Sequence, residues 1–94
     1  MKEFKDLDFK LTPRGDGIQA IMKFDNEFGV SVVKSKYSYG GDKGLYEMAI
    51  LNINGEITYD TEITEDVLGY LEPDDVTKYM IDVQRIQNIN LFKK

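Results

Sequence analysis

The chain contains no cysteine and no histidine. Without cysteine there is no disulfide framework, no thiol nucleophile and no thiolate metal site. Without histidine the commonest metal ligand and the commonest general base are both missing. Catalysis would have to rest on carboxylate pairs or on lysine and tyrosine alone, and no such positioned acid and base stand out. We therefore read the chain as a non-enzyme that needs no cofactor and no metal. No apolar run approaches the roughly 18 residues of a membrane-spanning helix. The N-terminal MKEFKDLDFK alternates charge with Phe and Leu, unlike a signal peptide. A soluble protein of the cytoplasm, without membrane contact, is the expectation.

What is present suits one small globular domain spanning residues 1–94. Hydrophobic residues make up 41% and charged residues 31%, an ordinary balance for a single modest core. The net charge of −5 is unevenly placed. Residues 1–50 hold eight basic and eight acidic side chains, whereas residues 51–94 hold four basic and nine acidic ones. An acidic chain is a poor partner for nucleic acid, whose phosphates are held by Lys and Arg.

The strongest structural signal is LYEMAILNINGEITYD, Leu45 to Asp60. Asn54-Gly55 suits a two-residue type I′ turn, which needs positive φ at both central positions. That turn sets Ile53 opposite Glu56 and Ile50 opposite Tyr59. Tyr46, Met48, Ile50, Ile57 and Tyr59 then share one face, which we assign to the core. Upstream, Ile18, Ala20, Met22 and Phe24 alternate as a half-buried strand, and Phe28–Lys36 with its β-branched Val30–Val33 run forms the next. Asp25-Asn26-Glu27 turns between them, less favourably than an Asn-Gly turn would. Residues 1–13 fit either a short strand or an arm laid over the core.

Thr61–Tyr70 has no regular period, and Val67, Leu68 and Tyr70 are expected to tuck onto the core. Glu72-Pro73-Asp74-Asp75 marks a helix start, with proline at the first helical position and acids at the positive end of the dipole. Val76, Tyr79, Met80, Val83 and Ile86 recur at helical spacing, so the helix should run to about Asn88. The fold class is α+β: an antiparallel meander of three to four strands with one C-terminal helix packed on one face.

Several segments, namely Gly29–Val33, Tyr37–Gly41 (YSYGG), Gly44–Glu47 (GLYE), Tyr59–Thr61 (YDT) and Asp66–Leu71 (DVLGYL), together resemble a family of small proteins encoded by bacteriophages and prophages. The resemblance covers roughly Ile18 to Ile86. The family carries no assigned activity. The resemblance implies a context: a small early-type phage product acting inside a bacterium, of the kind that inhibits or modulates host machinery.

Two surface features suit a partner. Asp60, Glu62, Glu65, Asp66, Glu72, Asp74 and Asp75 form an acidic stretch that can imitate duplex phosphates in the basic groove of a defence or nucleic-acid enzyme. The plainer alternative is a solvated loop and a dipole-compensating helix start. The same carboxylates fit no known calcium-loop spacing. In the second feature, Lys34, Lys36, Tyr37, Tyr39, Lys43 and Tyr46 interleave cations with rings. Tyr37 and Tyr39 suit a protein contact, since tyrosine offers large area at small entropy cost. An alternative function for the loop of residues 34–46 is stacking on single-stranded nucleic acid. A third reading is a structural module that oligomerises through an open sheet edge. Gly40-Gly41-Asp42-Lys43-Gly44 is no phosphate loop, because it lacks the Lys-Ser/Thr pair and precedes a strand.

Overall fold

A computed structural model describes residues 1–59, 61, 63 and 66–87. Five strands run in chain order across one antiparallel sheet: β1 Lys10–Leu11, β2 Gly17–Lys23, β3 Gly29–Ser35, β4 Tyr46–Leu51 and β5 Leu68–Leu71. Among the described residues one α-helix, α1 Pro73–Gln84, follows. The α+β meander holds, but the strand count is five rather than three to four. Residues 56–59, expected as the second strand of the Asn54-Gly55 hairpin, form only an isolated bridge at Ile57, and β4 pairs with β5 instead; β1 and β5 lie at the edges. β1 is two residues long, too short for an alternation to be read, and β5 has its period broken by a bulge opposite Tyr46 and Met48.

The buried face follows the alternation of β2 and β3. Ala20, Val32 and Met48 lie in one row, and Met22, Val30 and Ile50 in the next. Val76, Met80 and Val83 of α1 descend onto these rows, and all three are fully buried. Each such side chain contributes about 1.5–3 kcal/mol by leaving water. Phe4, Leu7 and Phe9 complete the roof from the N-terminal arm. Phe4, Phe9 and Tyr46 form a triangle of rings with centroids 5.2–5.6 Å apart. The arm is tied along α1: the Phe4 amide donates to Thr77 Oγ1, and Gln84 accepts from the Lys2 amide while donating to the Lys2 carbonyl. Residues 1–13 are thus arm and short strand together.

The helix is shorter than its apolar period suggests and ends at Gln84 rather than near Asn88, which lies outside the described residues. Asn26 terminates it from across the sheet. Its Nδ2 donates to the carbonyls of Val83 (2.8 Å) and Ile86 (2.9 Å). The Val83 carbonyl also accepts from the Ile86 amide at 3.1 Å, so Asn26 adds a second donor there and supplies one to the Ile86 carbonyl just past the helix. At the other end, the Asp75 carboxylate accepts from the Glu72 amide at 2.9 Å, half of a capping box.

Both hairpin turns use three residues, not two. In the first, Phe24 and Phe28 close the loop and Glu27 sits at φ 73. In the second, Asn52 and Glu56 close it and only Gly55 has positive φ (79°). This is a type I turn followed by a left-handed residue. The expected type I′ turn at Asn54-Gly55 does not form because Asn52 Oδ1 accepts from the amides of Asn54 (2.9 Å) and Glu56 (3.1 Å). The register therefore slips by one: Ile57, not Thr58, lies opposite Leu51. A slip of one flips side chains to the other face. Ile57 and Tyr59, assigned to the core from the sequence, are 46% and 53% exposed.

Gly55 is suited to the left-handed position and Glu27 is not. A left-handed non-glycine residue costs about 1–2 kcal/mol, of which glycine's extra unfolded-state entropy takes back about 0.5–1 kcal/mol. Glu27→Gly is expected to raise stability by about 0.5–1 kcal/mol in urea unfolding. A loss of stability would mean that the Glu27 side chain makes a contact that outweighs the strain.

Candidate functional site

The helix α1 covers one face of the sheet; the other face is exposed at Ile21 and Lys23 of β2 but buried at Ala49 and Leu51 of β4. By register it carries Gln19, Ile21 and Lys23 of β2, Ser31 and Val33 of β3, and Glu47, Ala49 and Leu51 of β4. Tyr39 and Tyr70 lie beside Glu47 at one end of this face. The loop that delivers Tyr39, residues 36–45, is tightly built. The Ser38 hydroxyl accepts from the Ser35 amide and donates to the Ser35 carbonyl. The amide of Leu45 returns to the Gly40 carbonyl. A Cβ on Gly41 would stand 1.9 Å from the Ser35 carbonyl oxygen, so only glycine fits there. Within this frame the Tyr39 amide donates to Glu47 Oε1 at 2.9 Å, and the Tyr39 carbonyl accepts from the Tyr70 amide at 3.2 Å.

The bulge in β5 explains where Tyr70 points. Leu68 and Leu71 are three apart, so plain alternation would put them on opposite faces. Yet Leu68 pairs with Met48 and Leu71 with Tyr46, and both leucines pack against the core. One extra residue in the left-handed conformation achieves this, and that residue is Tyr70, at φ 57. The backbone needs a left-handed residue here but does not need a tyrosine. Glycine or asparagine would adopt the conformation at less cost. The ring is 58% exposed instead of tucking onto the core as the sequence suggests. Lys43 lies 6.0 Å from its centroid. Gly69 lets the chains meet, since a Cβ there would fall 2.6 Å from Tyr39 Cβ.

Of the residues singled out from the sequence, Tyr37 and Tyr39 are exposed at 70% and 59%, and Lys36 lies over the Tyr37 ring at 5.7 Å. Tyr46 and Lys34 are not part of this surface. Tyr46 belongs to the ring triangle under the arm, and Lys34 lies over it at 5.0 Å. The acidic set divides. Asp60, Glu62 and Glu65 lie outside the described residues. Asp66 Oδ1 accepts from the Val67 amide, Asp75 serves the helix start, and Asp74 stands exposed in the first turn of α1. Among the described residues, no three carboxylates converge to hold a metal ion. No described helix is long and apolar enough to cross a membrane.

Sequence reading missed Tyr70 because the bulge hides its period. The only available signal was the glycine before it, which marks a close approach or bulge within a strand. Comparison of the chain with protein-family models, with curated proteins and with solved structures finds no match.

Proposed function

We propose that this protein is a non-enzymatic binding module whose partner is another protein, gripped by Tyr39 and Tyr70 with Tyr37 beside them. The observation that carries this reading is the tyrosine at a left-handed bulge position, exposed and held by backbone hydrogen bonding. Strain kept where a cheaper residue would serve points to a role outside folding. Rigid tyrosines that present an apolar body and a polar tip are the usual anchors of protein interfaces. The sequence resemblance supports a phage-encoded product in the cytoplasm of a bacterial host, acting on a host or phage protein. In that setting Asp66 and Asp74, with Asp60, Glu62, Glu65 and Asp75, extend the contact toward a basic partner such as a defence or nucleic-acid enzyme.

The tyrosine anchor and fold stability should respond in opposite directions. Tyr70→Gly relieves the backbone strain, so stability is expected to stay level or rise by up to about 1 kcal/mol. Capture of the partner from host lysate is expected to weaken at least about tenfold in Tyr39→Ala and in Tyr70→Gly, the effect of removing an anchor. Partner retention unchanged in both variants would remove this surface from the function.

A second reading has one observation in its favour: Lys36 over Tyr37 and Lys43 over Tyr70 pair cations with exposed rings, as single-strand binding requires. The net charge of −5 opposes it. A gel shift with single-stranded probes at about 50 mM salt, where electrostatic binding is strong, decides between them.

A further inference from the structure

The open face carries an isoleucine where a solvated sheet would carry a polar residue. Ile21 sits in the middle of β2, opposite Ser31 of β3 and past the two residues, Ile18 and Gln19, that β1 pairs, and is 67% exposed. Beside it runs a trough of small residues. Ser31 and Gly29 of β3 lie directly opposite Ile21 and Lys23, and Ala49 of β4 lies beyond Ser31; Gly29 and Ala49 are buried, so the trough is accessible at the half-buried Ser31. The Ser31 hydroxyl already accepts from Gln19 Nε2 at 2.8 Å, so its oxygen keeps a partner when covered.

The register also orders the charges. Lys10, Gln19, Val33 and Glu47 form one row across β1, β2, β3 and β4, all on the open face. The row therefore begins with a cation on one outer strand and ends with an anion on the third strand over. Glu47 is held in place by the Tyr39 amide. Among the described residues Lys10 makes an exposed contact of 3.8 Å to Asp8, which ties it weakly.

We propose that this face is the contact between two copies of the chain, packed sheet to sheet about a two-fold axis that runs along the strands between β2 and β3. Such an axis exchanges β2 with β3 and β1 with β4 while keeping each residue at its own level. Ile21 of each copy then enters the trough at Ser31 of the other. The Lys23 stem lies over the bare backbone of Gly29, its ammonium reaching past the rim to water. Lys10 of each copy meets Glu47 of the other, twice by symmetry. Shape and charge are thus self-complementary in a single register, as an isologous interface demands. Near-parallel stacking is one of the two usual arrangements of packed sheets. The edges suit pairing less well, since β1 has two residues and β5 carries the bulge at Tyr70. Ile21 lies in the row of Ser31 and Ala49 and not in the Glu47 row beside Tyr39, so loss of the dimer in Ile21→Asp leaves the tyrosine surface to be assayed separately, whereas Glu47→Lys also removes the acceptor of the Tyr39 amide.

Sedimentation equilibrium of the full chain tests the contact. At roughly 100 μM, well above the Kd of a standard-sized interface, the wild type is expected at twice its 10.8 kDa mass. Ile21→Asp, at an exposed position, is expected to remain folded by circular dichroism and to sediment as a monomer. Lys10→Glu and Glu47→Lys each place like charges together twice, and each is expected to dimerise roughly tenfold more weakly. Mixed in equal amounts they restore both opposite-charge contacts, because each variant then faces the other, and dimer should return as the mixed species. A monomeric wild type overturns the proposal and leaves the face to a different partner. A dimer that survives Ile21→Asp, or a mixture that behaves as the sum of its parts, also overturns it.

Discussion

Met80→Ala is expected to cost about 2–5 kcal/mol, the range for removing a large buried side chain and leaving a cavity. Met80 has no exposed surface and sits between Val76 and Val83, the other two side chains that α1 buries in the core. The packed surroundings are β-branched valines on β3 and the N-terminal arm, which have few alternative rotamers with which to close a void. For a domain of this size, each kilocalorie shifts Tm by about 4–8 °C, so a fall of roughly 8–40 °C should appear in a thermal scan. Lys78→Ala, on the exposed side of the same helix, is the matched control and should change stability by less than about 0.5 kcal/mol. Equal losses in the two variants would mean that α1 does not roof the sheet through this face.

Asn26→Ala is the second large effect. Asn26 Nδ2 joins a hairpin turn to two carbonyls at the end of α1, while Oδ1 accepts from the Phe28 amide at 3.2 Å. Alanine removes these three hydrogen bonds; the Val83 carbonyl keeps the Ile86 amide at 3.1 Å, while the Ile86 carbonyl loses the Asn26 donor. A buried polar group stripped of its partner costs about 1–3 kcal/mol. With one carbonyl losing the Asn26 donor and a second keeping one of two donors, about 1–3 kcal/mol is expected for the variant. Amide exchange should show the last turn of α1 opening earlier while the β3 and β4 amides keep their protection. If the last turn keeps wild-type protection, α1 does not depend on Asn26 for its end.

These two residues also mark what a sequence can and cannot display. Met80 was legible, because Val76, Met80 and Val83 share a helical face and nothing local competes with that pattern. The β2 and β3 strands were legible for the same reason, through strict alternation of Ile18, Ala20, Met22 and Phe24 and the valine run. Asn26 was read only as a turn residue, since the helix end it holds lies far along the chain. The second hairpin misled through a side chain. Asn54-Gly55 favours a two-residue turn, but Asn52 binds the amides of Asn54 and Glu56 and converts it to a three-residue one. That single change moved Ile57 and Tyr59 from the covered face to the open one. The tyrosine site was half visible. Tyr37 and Tyr39 stood out in a glycine-rich loop, but Tyr70 looked like core because the bulge that turns it outward leaves no period to read.

The central claim is that the sheet has one roofed face and one open face, divided by the register found at Leu51 and Ile57. Two isoleucines test it directly, since Ile50 is 1% exposed and Ile57 is 46% exposed. The measurement is urea unfolding of Ile50→Asp and Ile57→Asp beside the wild type. Ile50→Asp should fail to fold, because an unpaired carboxylate in a dry core costs more than the domain's margin of about 5–15 kcal/mol leaves room for. Ile57→Asp should fold and lose less than about 1 kcal/mol, as an exposed substitution does. If Ile57→Asp collapses as Ile50→Asp does, both side chains lie under the helix, and the open face does not exist in this form.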